Sequence, residues 1–208
     1  MGGRGSVSAS GVNGARIATD PQGAKVAEFE SQYWGAGEEH AAVFDKDGNV
    51  ISVQTKGTRS KFEYDLTTED EGVLADAVLT HNHPSRAHGQ HDGQHDAGGP
   101  FSVADLRDFA KNGYREYRAT ASEGTYSLRW KEGVSAADRK KAGRKFAAKA
   151  NKELNNYAAE KHGDAEWAAY KSGKKTDPKG SLRRLIGHES DWFAQNVPDG
   201  LEFKFIKR

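Results

Sequence analysis

The sequence predicts an α/β fold, one mixed β-sheet sandwiched by helices, and three observations predict it. Short apolar runs suited to strands alternate with helix-like segments over residues 41–130. A four-residue apolar repeat then begins: Ala142, Phe146, Ala150, Leu154 and Ala158, the stripe of a long amphipathic helix. The chain closes on Leu201-Glu202-Phe203-Lys204-Phe205-Ile206, which alternates with the period of a strand. Both periods within 208 residues, with no internal repeat, imply one sheet with helices layered on it.

Residues 1–24 are rich in Gly, Ser and Ala, and Asp20-Pro21-Gln22-Gly23 reads as a turn, so this segment is expected to be a flexible lead-in. Ala41 to Phe44 and Val50 to Gln54, joined by Asp45-Lys46-Asp47-Gly48-Asn49, predict a β-hairpin. Thr67 or Thr68 should cap a short helix that carries acids in its first turn and runs to about Ala75. Ala77-Val78-Leu79-Thr80 reads as a buried strand leading into His81-Asn82-His83-Pro84. Ser102 opens a helix that Asn112-Gly113 stops. Tyr117–Ala121 and Tyr126–Trp130 flank a second hairpin turn. Beyond Ser135 comes the long helix, then a polar break over Lys171–Gly180, a helix marked by Leu182, Leu185, Ile186 and Trp192, and the final strand. The expected units are the lead-in 1–24, a core over 25–134, and a basic helical extension over 135–208 that packs back on the core.

Composition narrows the chemistry. With 31 Lys plus Arg against 30 Asp plus Glu, the net charge of +1 gives no global field toward nucleic acid or anionic membrane. The charge is uneven, however: Arg139 to Arg183 holds 13 basic and five acidic residues. There is no cysteine, so thiolate nucleophiles and Cys-bound metal are excluded, and any metal ligands must be His, Asp or Glu. No apolar run reaches membrane-spanning length and the first residues carry no apolar signal core, so a cytoplasmic protein is expected.

His81 and His83 stand two apart at a strand end and therefore project from one face of the pleat. Two imidazoles on one face can share a divalent ion, and Asp105, at a helix start just downstream, offers a third ligand. Three protein ligands leave one position for water, the arrangement of a catalytic rather than a structural metal. A carboxylate base is then needed, and Glu38 and Glu39 precede the first strand. Ser102 could donate a hydroxyl to an oxyanion.

The set His81-Asn82-His83-Pro84-Ser85, then Ser102-Val103-Ala104-Asp105, with an isolated upstream Glu, resembles the signature of JAMM (JAB/MPN-plus) zinc metalloproteases. Residues from about Glu38 to Trp130 resemble a JAB/MPN-type, cytidine-deaminase-like domain, closest to the RadC-like branch and its bacterial and phage relatives. The resemblance implies one zinc ion bound by His81, His83 and Asp105, Glu39 as general acid/base and Ser102 as oxyanion donor. Glu39 fits better than Glu38 because Ala41-Ala42-Val43-Phe44 then falls in the family's register. It also implies a peptidase or isopeptidase, with protein or ubiquitin-like substrates, in the cytoplasm of a host cell if the chain is phage-encoded. One departure is the 17-residue connection from Ser85 to Phe101, whose near-repeat Gly89-Gln90-His91-Asp92, Gly93-Gln94-His95-Asp96 suggests a polar loop over the site.

Simpler readings run alongside. Ser102 and Asp105 also match a helix capping box, and a carboxylate holding metal is expected not to reach back as a cap. His88, His91 and His95 with Asp92 and Asp96 fit a solvated loop better than a second metal site. Two other functions compete: a non-catalytic MPN-like assembly module, and a RadC-like role at nucleic acid using the basic segment.

Overall fold

The computed structural model describes residues 20–58, 62–84, 99–121, 124–162, 172 and 178–207. Helix α1 spans Pro21–Tyr33, and strands β1, β2 and β3 span Ala41–Phe44, Ser52–Gly57 and Phe62–Leu66. Helix α2 (Glu71–Asp76) leads into β4 (Val78–Asn82), followed by α3 (Val103–Asn112), β5 (Glu116–Ala121) and β6 (Gly124–Trp130). Helices α4 (Ala136–His162) and α5 (Pro178–Asn196) precede the last strand, β7 (Leu201–Lys207).

Five strands form one mixed sheet in the order β1-β4-β5-β6-β7, with only the β4–β5 pair parallel. Strand pleating divides its side chains between two faces. Val43, Leu79, Tyr117, Ala119, Leu128 and Trp130 join Phe109, Phe146, Trp192 and Phe193 in the main core, so α3, α4 and α5 cover that face. Val26 and Phe29 of α1 pack on Ala42, Phe44 and Val78 of the other face. The apolar stripe of α4 is thus explained: Phe146, Ala150 and Leu154 are buried against the sheet side. Among the described residues no helix is long and apolar enough to cross a membrane.

Three expectations are corrected and one strand is new. The expected lead-in ends early, because residues 21–24 already form the first turn of α1. Asp20 accepts a hydrogen bond from Gly23 N at 2.6 Å and Pro21 occupies the helix start, so the presumed turn is a helix cap. The first hairpin is only a single bridge, Phe44 to Val50. Strand β2 then leaves β1 and pairs antiparallel with β3 in a separate two-stranded sheet. Strand β3 itself was not anticipated, although Phe62-Glu63-Tyr64-Asp65-Leu66 alternates cleanly. Finally, α2 is capped by Asp70, not by Thr67 or Thr68; Asp70 Oδ1 accepts from Gly72 N and Val73 N.

Candidate metal centre

Strand β4 is buried along its whole length, and its end delivers the two histidines. The ladder with β5 continues one residue beyond the strand, since His83 N donates to the Thr120 carbonyl at 2.8 Å. His81 and His83 therefore stay on one face, their Nε2 atoms 2.9 Å apart. Helix α3 brings the third side chain: Asp105 Oδ1 lies 3.7 Å from His81 Nε2 and Oδ2 lies 3.8 Å from His83 Nε2. Two ligands of a tetrahedral ion at 2.0–2.2 Å stand about 3.4 Å apart. The imidazole pair is closer than that and each carboxylate oxygen a little farther from its nearer imidazole. With one ligand atom from each residue all within 4.8 Å of one another, the three side chains could hold one metal ion.

The hydrogen bonds around the histidines suit that role. A carbonyl only accepts, so the 2.8 Å contact between His83 Nδ1 and Gly99 O places the proton on Nδ1 and leaves a lone pair on Nε2. His81 is fully buried, its ring against Phe62, Tyr117 and His83 at centroid distances of 5.0, 5.4 and 4.7 Å. Its Nδ1 has no hydrogen bond of normal geometry, although the Arg118 backbone is near enough to favour a proton there. Burial pushes the His81 imidazole down to about 3, so it is neutral and able to ligate. Burial also lowers His83, but Asp105, Glu39 and the Gly99 carbonyl outweigh it and hold that imidazole above its ordinary value. Burial opposes ionisation of Asp105, yet the two imidazoles and Ser102 keep its carboxyl well below the usual range.

The capping box and the metal-facing position are not alternatives, contrary to the expectation. Asp105 Oδ2 accepts from Ser102 N at 2.7 Å while the same carboxylate faces both histidines. Oδ2 accepts the cap bond and also faces His83, while Oδ1 faces His81. Ser102 Oγ in turn accepts from Asp105 N at 3.2 Å, which leaves its own proton free to donate, and the residue is exposed at the helix start.

Glu39 and Glu38 differ sharply. Glu38 is exposed. Glu39 is half-buried and couples electrostatically to both His83 and Asp105; burial pushes its carboxyl up to about 7. Two contacts set its position. Glu39 N donates to Thr58 O at 2.6 Å, and a β-carbon at Gly57 would collide with the Glu39 carbonyl, so only glycine lets β2 pass this close. From the other side, Asn82 Nδ2 donates to Glu38 O at 2.9 Å and His40 N donates to Asn82 Oδ1 at 2.6 Å. The asparagine between the two histidines thus clamps the backbone that carries Glu39. Sequence reasoning assigned Asn82 no role. Its signal was there: a buried polar residue of low β-propensity in a strand needs partners.

A second acid was also missed. Glu189 of α5 is partly buried beside Gly99 and couples to His83; burial pushes it up to about 7. Asp108, one turn beyond Asp105, is closed off instead by Tyr64 at 2.6 Å, Asn112 at 3.0 Å and Tyr117 at 3.3 Å. The loop residues His88, His91, Asp92, His95 and Asp96 lie outside the described residues. No family model, no curated protein and no solved structure matches this chain.

Proposed function

We propose that this chain is a hydrolase of peptide or isopeptide bonds of the JAMM type, using one zinc ion held by His81, His83 and Asp105. The observation that carries the reading is Glu39. A carboxylate tuned to about 7 beside a buried His-His-Asp group is suited to take and return a proton near neutral pH. A structural metal site has no use for such a base.

When bound, the ion would supply Lewis acidity toward the scissile carbonyl and raise the acidity of water. Glu39 receives a proton from the attacking water and delivers it to the leaving nitrogen, which would otherwise depart as an unstable amide anion. Ser102, its oxygen already engaged by Asp105 N, donates its free hydroxyl proton to the carbonyl oxygen as charge gathers there. His81 stays neutral through burial, and the Gly99 carbonyl holds one His83 proton on Nδ1, so that Nε2 is the nitrogen turned to the ion. Phe62 and Tyr117 against the His81 ring exclude water from the inner side.

The resemblance to JAMM enzymes suggests protein substrates, with ubiquitin-like conjugates as first probes, and a cytoplasmic setting fits them. The test joins metal analysis of the purified protein to a peptidase screen with those conjugates. Glu39→Gln should retain its zinc and lose hydrolysis by about 10²- to 10⁴-fold, while Glu38→Gln stays close to wild type. Hydrolysis that survives Glu39→Gln would end this reading.

A further inference from the structure

We propose that Glu189, carried by the C-terminal helix α5, is a positioning residue of the metal centre: its carboxylate stands on the outer side of His83 and favours a cation among His81, His83 and Asp105. The inference rests on the metal-site reading and extends it to a part of the chain lying 84 positions beyond the last ligand (189 − 105).

The geometry begins with one face of α5. Ile186, Glu189 and Phe193 recur at three and four residues and so share a face. That face meets the segment 99–101. A β-carbon built on Gly99 would stand 2.9 Å from Glu189 Oε2 and 3.6 Å from Ile186 Cγ1. Two residues on, Phe101 packs edge-to-face on Phe193, centroids 5.9 Å apart. Helix α5 therefore holds the segment whose Gly99 carbonyl fixes the His83 ring at 2.8 Å. An outer partner that orients a ligating imidazole in this way tunes the metal through it.

Charge gives the second argument. Glu39 couples to both His83 and Asp105, whereas Glu189 couples to His83 alone. Glu189 stands beside Gly99, whose carbonyl meets His83 Nδ1. It is not within the ligand cluster and acts through His83. A carboxylate kept partly buried there costs stability in the metal-free chain. A merely structural position would be better filled by an apolar or neutral side chain; an adjacent cation is what makes a negative charge worth holding.

The experiment measures zinc affinity by chelator competition, and the cobalt(II) absorption spectrum, for the full-length protein and three variants. Glu189→Gln keeps the shape and removes the charge. It should weaken zinc about tenfold and alter the cobalt spectrum, while the metal-free protein melts at or above the wild-type temperature at pH 8. Glu189→Asp should recover most of the affinity. Asp191→Asn, which removes an exposed charge from the same helix, should change nothing. Wild-type zinc affinity in Glu189→Gln overturns the proposal, as does an equal loss in Asp191→Asn. If the wild-type protein itself takes up no zinc, the metal-site reading falls first and this inference with it.

Discussion

The central sheet buries a polar cluster on each face, and the two are built on opposite plans. On the α1 face, Arg118 Nε meets Glu30 at 2.6 Å and Arg118 Nη1 meets Glu116 at 2.8 Å. Thr80 donates to Glu30 at 3.1 Å and Ser127 to Glu116 at 2.7 Å, so both carboxylates are satisfied. On the other face, His81, His83 and Asp105 turn their free atoms toward one another, and His81 Nδ1 lacks a hydrogen bond of normal geometry. Neighbouring strand positions, Thr80 and His81, serve the two faces. A buried network whose every charge is answered is complete as it stands; one whose ligating atoms converge could hold a cation. That contrast is open to attack at each cluster.

Breaking the open cluster should give the largest effect. His81→Ala with His83→Ala should abolish zinc binding outright, since a lone carboxylate cannot retain the ion. The metal-free double variant should fold with reduced stability, because Asp105 loses both imidazoles but keeps its bond from Ser102 N. One equivalent of zinc in that variant would move the site elsewhere, with the loop histidines the first suspects.

Breaking the closed cluster should do the reverse. Arg118→Met strands Glu30 and Glu116 together without their shared cation, at a cost of about 3–5 kcal/mol. Zinc affinity, measured where the variant is folded, should stay within a factor of about three, because His81 and Arg118 point to opposite faces. Unfolding midpoints in denaturant, with and without zinc, report both quantities. A variant that keeps its stability but loses zinc would dissolve the distinction between the faces.

The two clusters also differ in how far they could be read from sequence. The open one was written locally: His81 and His83 two apart before Pro84, and Ser102 three before Asp105, place the candidate ligands through strand pleat and helix start alone. The caps at Ser102 and Gly113 were legible for the same reason, the latter adopting φ +72°. The closed cluster joins α1 to β4, β5 and β6 across as many as 95 positions, from Glu30 to Thr125. No local pattern announces such pairs. Helix α1 was hidden because Asp followed by Pro signals a turn and a helix start equally well. What decides between them is burial of Val26 and Phe29 against the sheet, a tertiary fact. Glu189 escaped notice likewise, since only the packing of α5 brings it to His83.

Asn82 links strand β4 to the backbone that carries Glu39, the proposed base, and should give a smaller effect. Asn82→Ala removes the bonds to Glu38 O and His40 N and leaves those groups without their partner, costing about 1–3 kcal/mol. Zinc should remain bound, because the side chain lies on the face away from the ligands. Hydrolysis should fall through looser placement of Glu39, visible as a lower kcat with KM little changed. A variant that loses zinc as well would make Asn82 a support of the ligands rather than of the base.

The smallest expected effect is a pH signature confined to the open face. Above pH 6.5 the neutral form of His81 no longer matters to stability, because the unfolded imidazole is neutral there too. His83 and Glu39 act in the opposite sense. Both are raised in the folded chain, Glu39 to about 7, so the native state holds protons that the unfolded state has released. Metal-free stability should therefore decline from pH 6.5 to 8. Glu116, lowered by Arg118 once its burial is overcome, contributes its stability only above the ordinary carboxylate range and is flat across this window. Zinc should invert the trend, since it takes the lone pair that a proton on His83 would occupy and favours the ionised Glu39. Its affinity should rise by up to about tenfold per pH unit per group released. The upward shift in melting temperature caused by zinc should accordingly grow between pH 6.5 and 8. A shift independent of pH there would mean that neither His83 nor Glu39 gives up a proton when the ion binds.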